Sequence, residues 1–72
     1  MEAALPATPA PFSVGQFVRL NTGEGPVYCI TDLDPPVPLT GNEWVLHLQF
    51  WNPATGRIET EIRQAKRFVL KS

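Results

Sequence analysis

Cysteine and histidine occur once each in this chain of 72 residues, as Cys29 and His47. A single cysteine excludes an intrachain disulfide. One cysteine and one histidine also fall short of the four ligands of a structural zinc site. Neither of the staples common in small domains is therefore present, and stability must come from packing or from a partner. The lone thiol suits a reducing compartment, and a cytoplasmic protein is expected. Long apolar runs are missing too. No segment approaches the roughly 20 apolar residues of a membrane span. The opening MEAALPATPAPF has no basic start and is interrupted by prolines, unlike a secretory signal. No membrane association, metal or cofactor is expected.

Charge of one sign is also in short supply. The net charge is −1, so the uniformly basic footprint of a nucleic-acid binder is absent. The two halves differ, residues 1–43 summing to −4 and residues 44–72 to +3. A catalytic constellation is lacking as well. Cys29 and His47 form the one candidate pair, with no third group to orient them and nothing to set Cys29 in an electropositive site. The plainer reading is a small packed cysteine and an outer-face histidine. The glycines of Asn21–Pro26 open a strand and precede no Lys-Ser/Thr, so they are not a phosphate loop. We expect no enzymatic activity.

What the chain does have is alternation. Glu43 to Ile62 reads EWVLHLQFWNPATGRIETEI, two alternating runs around a turn cluster, the pattern of a β-hairpin. Trp44, Leu46, Leu48 and Phe50 fall on one face, and Val45, His47, Gln49 and Trp51 on the other. In the second run Ile58, Thr60 and Ile62 share a face, opposite Arg57, Glu59, Glu61 and Arg63. Matching apolar faces across the hairpin predicts an odd-numbered connection. Five residues would set Phe50 against Ile58, Trp51 against Arg57 and His47 against Glu61. Three would set Trp51 against Glu59. Four would oppose Phe50 with Glu59, and the pattern argues against it. The core is then expected to hold Trp44, Leu46, Leu48, Phe50, Ile58 and Ile62.

Around the hairpin, Phe17–Leu20 and Val27–Leu33 read as strands joined by a glycine turn. Residues 34–42 form a connector stiffened by Pro35, Pro36 and Pro38, which exposes Val37 and Leu39. Gln64–Arg67 is too short for a stable helix and reads as one helical or 3₁₀ turn before a last strand, Phe68–Lys71. Residues 1–11 read as a disordered Pro-rich arm, and residues 12–72 as the domain. The expected fold is all-β, an SH3-like antiparallel barrel of four or five strands with one short helical turn.

That order, with Val14–Leu20 leading into a glycine turn and Gln64–Arg67 before Phe68–Leu70, resembles SH3-like small barrels. The opening, with Gly25–Pro26–Val27, is similar to that of YodC-like small bacterial proteins, as is an aromatic strand over Trp44–Trp51. Gln16 departs from that family's acidic residue, and residues 34–40 are inserted. Gly15, Val18, Arg19 and the Gly23/Gly25 turn also resemble KOW motifs of transcription elongation factors. The small size resembles, in kind, phage-encoded regulators that bind host RNA polymerase. That resemblance implies a monomeric, non-catalytic module that docks on bacterial RNA polymerase, inhibits initiation and modulates termination.

Trp and Arg are enriched at interface hot spots. The expected partner-binding set is Trp51, Arg57, His47, Val45, Arg63, Lys66 and Arg67, with Val69 extending the patch. Trp51 has a competing reading, as a cap on the barrel end or a seat for the N-terminal arm. The alternative function is RNA or DNA binding. Arg57, Arg63, Lys66, Arg67 and Lys71 would meet phosphates and Trp51 or Tyr28 would stack bases, although Glu59 and Glu61 lie among them.

Overall fold

The computed structural model describes residues 9–71. Of the arm expected over residues 1–11, residues 1–8 lie outside the described residues, as does Ser72, and residues 9–11 are exposed and outside any strand. The strands are β1 (Phe17–Leu20), β2 (Tyr28–Asp34), β3 (Val45–Asn52), β4 (Arg57–Gln64) and β5 (Phe68–Leu70). All pair antiparallel in one sheet of order β4-β3-β2-β1-β5. The protein is all-β, with the meander order and the 3₁₀ turn before the last strand (Ala65–Arg67) of an SH3-like small barrel. A second 3₁₀ turn, Pro38–Thr40, lies in the Pro-rich connector and was not expected. It leaves Val37 and Leu39 exposed, as the sequence suggests. Among the described residues no helix is long and apolar enough to cross a membrane.

The concave face of the sheet holds the core. Val18, Tyr28, Ile30, Leu46, Leu48, Ala65 and Phe68 are buried, with Phe12, Leu20, Leu33, Trp44 and Phe50 packed against them. Tyr28 sits between two rings, 5.1 Å from Phe50 and 5.4 Å from Phe68, both edge-to-face. Such pairs each add about 0.5–1.5 kcal/mol beyond their burial. A β-bulge at Thr31 resets the alternation of β2. Ile30 opposes Leu48, and after the bulge Leu33 opposes Leu46. The extra residue thus keeps Leu33 on the core side and turns Asp32 and Asp34 outward.

The β3–β4 hairpin departs from its expected register. Asn52 pairs with Arg57, so the connection is four residues long and Phe50 opposes Glu59. The apolar face of β4 is turned outward as a result: Ile58 and Ile62 are exposed, not core. Local chemistry explains why. Asn52 Oδ1 accepts the Ala54 N–H at 2.9 Å, and the Asn52 carbonyl accepts the N–H groups of Thr55 and Gly56. Gly56 takes a left-handed φ of 70°, which closes the turn. Glu59 then reaches back to the turn, accepting Thr55 Oγ1 at 2.9 Å and Asn52 Nδ2 at 3.2 Å. β4 ends the sheet, and none of its side chains is fully buried. Turning the isoleucines inward at this rim would gain less than in a central strand.

Asn52→Ala removes the side chain that both caps the turn and holds Glu59. We expect a loss of about 1–2 kcal/mol, at roughly 0.5–1.5 kcal/mol per hydrogen bond. Urea unfolding followed by tryptophan fluorescence measures it.

Candidate functional site

Turning β4 outward builds an apolar surface on the convex side of the hairpin. Trp51 is 54% exposed and pairs directly with Ile58, itself 54% exposed. Gln49 pairs with Thr60, and His47 with Ile62, which is 65% exposed. The sequence singled out Trp51 on this face, but it paired the tryptophan with a cation rather than an isoleucine. The row continues across the sheet, Cys29 opposing both Gln49 and Phe17, and Phe17 is also exposed. Trp51 and Ile58 thus stand side by side, and Ile62 and Phe17 are exposed on the same face of the sheet.

The remaining expected site residues divide. Arg57 opposes Asn52 at the hairpin tip, on the strand face opposite to Trp51. The expected Trp51–Arg57 pair therefore does not form. His47 does lie on the convex face, but its expected partner Glu61 points to the other side. Its Nε2 is instead 2.8 Å from Asp34 Oδ2, diagonally across β2. Val45 was expected in the exposed patch and is only 7% exposed. Val69 is exposed. Arg63 points to the concave side, with its Nε 3.7 Å from Glu61 Oε1. Lys66 Nζ is 3.8 Å from Glu43 Oε2. Arg67 is exposed, and its carbonyl accepts the Asn21 N–H at 2.8 Å. Of the expected basic residues, Arg63 and Lys66 thus each lie beside an acid.

Strands β2 and β3 do pair, as a Cys29–His47 couple would require. Cys29, however, opposes Gln49, while His47 opposes Asp32 and hydrogen-bonds Asp34. The competing reading of Trp51, as a seat for the N-terminal arm, is not met by the described part of that arm, which lies near Trp44. Pro9, Pro11 and Phe12 line a groove of about 300 Å³ with Trp44, Ala65 and Phe68.

The concave side of β4 is charged. Arg57, Glu59, Glu61 and Arg63 point there in sequence, opposite Asn52, Phe50, Leu48 and Leu46. Glu61 Oε1 is shielded from solvent and has no hydrogen-bond partner among the described residues. Nearby, Tyr28 is buried. Burial pushes its phenol pKa above the ordinary 10.0, the Glu61 carboxylate adds to that, and Arg63 opposes it. The fold thus favours the neutral phenol. The stability this contributes is fully present below pH 10 and is lost as pH rises through the folded-state value. In urea unfolding the midpoint of the wild type should fall above pH 10, and Tyr28→Phe should remove that part of the fall.

Ile58, Thr60 and Ile62 were missed as surface residues. The turn did not reveal them. Asn52–Pro53–Ala54–Thr55–Gly56 carries an Asx cap, a proline in the first turn position and a glycine for the left-handed residue, which fit the four-residue connection that forms as well as the five-residue one expected. No family model, curated protein or solved structure matches the chain. The reading of the site therefore rests on its geometry.

Proposed function

We propose that this protein is a non-catalytic module that docks on another protein through the convex face of its β3–β4 hairpin. The observation that supports this reading is the outward stripe of Trp51, Ile58 and Ile62 on an edge hairpin. A small all-β domain with few core residues to spare gains nothing in folding from three large side chains left in water. Trp51 supplies the rigid aromatic anchor typical of hot spots, and the isoleucines supply dry area around it.

The partner we propose is bacterial RNA polymerase, the target implied by the resemblance to phage-encoded regulators, with inhibition of initiation and altered termination as the consequence. Direct nucleic-acid binding has less support. Glu43 and Glu61 lie beside Lys66 and Arg63 and offset the cations that phosphates would need.

A tagged chain passed through bacterial lysate tests this. Polymerase subunits are expected in the eluate from the wild type and absent from that of Trp51→Ala. Recovery of no polymerase from the wild type would remove this partner. Retention of a random oligonucleotide that is lost on Arg63→Ala with Arg67→Ala, and weakens with salt, would instead favour nucleic acid.

A further inference from the structure

We propose that the free edge of β4 takes an extended segment of a partner protein as an added strand, and that this segment alternates apolar residues with a central pair of basic ones. This rests on the reading of the chain as a protein-binding module and specifies how the partner is held.

β4 ends the sheet and runs eight residues, Arg57–Gln64, with no proline and no bulge in its pairing with β3. An antiparallel edge strand presents every second N–H and C=O away from its neighbour, ready for another chain. The opposite edge, β5, is three residues long and offers far less. Backbone pairing supplies affinity in strand addition, and the alternating side chains supply selectivity.

The two faces of β4 specify the partner. On the convex side Ile58, Thr60 and Ile62 call for β-branched or aromatic residues opposite them. On the concave side the order is Arg57, Glu59, Glu61, Arg63. Its complement is acidic, basic, basic, acidic. The order reads the same from either end, so one segment satisfies it in parallel or antiparallel orientation. The Glu61 side chain is 38% exposed although its Oε1 is shielded and has no hydrogen-bond partner among the described residues, so its carboxylate, beside Arg63, is the one that an incoming lysine or arginine would meet. The same symmetry disfavours a second copy of this chain. The register that pairs both isoleucines, Ile58 of one copy with Ile62 of the other, sets Glu59 against Glu61 and Arg57 against Arg63. Like charges would then be opposed at each of those positions.

The test titrates the full chain, labelled with nitrogen-15, with a short synthetic peptide that alternates valine with glutamate, lysine, lysine and glutamate. Binding should shift the β4 amides and slow hydrogen exchange at every second one of them. N-methylation of one alternate set of peptide amides should weaken binding at least about tenfold, and of the other set less than about twofold. Replacing the peptide lysines by glutamates should also cost at least about tenfold, and Glu61→Gln should shrink that difference. No binding, or equal loss with both N-methylated sets, would overturn strand addition. Alternate β4 amides already protected in the free protein, and released on dilution, would show a second copy at the edge and overturn it too. The docking face is judged separately. If Trp51→Ala and Ile62→Thr leave capture of the lysate partner intact, that reading fails whatever the peptide does.

Discussion

Leu48→Ala should leave the domain close to unfolded in modest urea. Leu48 is fully buried, opposite Ile30 on β2 and Glu61 on β4. It is thus a packing point of the central strand pair. Truncating a fully buried leucine costs about 2–5 kcal/mol, from lost transfer energy and the cavity left behind. A chain this short has a total of about 4–10 kcal/mol, at roughly 0.05–0.15 kcal/mol per residue. With no disulfide within the chain, nothing covalent limits the loss. If m is near 1 kcal/mol/M, as for the smallest proteins, the urea midpoint should fall by about 2 M or more. Leu46→Ala, at the other fully buried site on β3, should behave alike.

Trp51→Ala should do the opposite, costing binding and sparing the fold. Trp51 is half exposed at the hairpin end and stacks on no other ring among the described aromatic pairs. Its removal should cost less than about 1 kcal/mol of stability, within the spread of strand propensities. If the convex face is the docking surface, truncating its central aromatic should cost at least about 2 kcal/mol of binding energy, roughly thirtyfold in Kd. Calorimetric titration of the captured partner with both variants measures it. Arg57→Ala, on the other face, should change Kd by less than about threefold.

The strand content was legible because alternation and turn residues agreed. Phe17–Leu20 carries β-branched and aromatic residues before a glycine turn, and it forms β1. Gln64–Arg67 could support only one turn, and Ala65–Arg67 makes it. The bulge at Thr31 was also written in the chain, as a slip between Ile30 and Leu33, though alternation alone did not reveal it. The hairpin register was not legible from hydrophobicity. Face matching assumes that every apolar stripe seeks the core, and β4 breaks that assumption as an edge strand whose turn fixes its phase. Asn52 and Gly56 outweighed Ile58 and Ile62 because hydrogen bonds of the turn are made in full, whereas burial at the rim is partial. The site followed the same course. The exposure of Trp51 was legible because a tryptophan on a polar strand face stands out. The isoleucines beside it were assigned to the core, and His47 was given Glu61 by face matching across the hairpin because Asp34 was read as connector, whereas it ends β2 in a diagonal contact set by the bulge.

Urea unfolding of the double variant Ile58→Thr with Ile62→Thr tests the outward-facing β4 most directly. Threonine keeps the β-branch, so strand propensity is preserved. With both isoleucines in water, the midpoint should stay within about 0.5 kcal/mol of the wild type in free energy. A loss of about 4 kcal/mol or more, as for two isoleucines buried in the core at about 2 kcal/mol each, would contradict the four-residue register and the docking surface built on it.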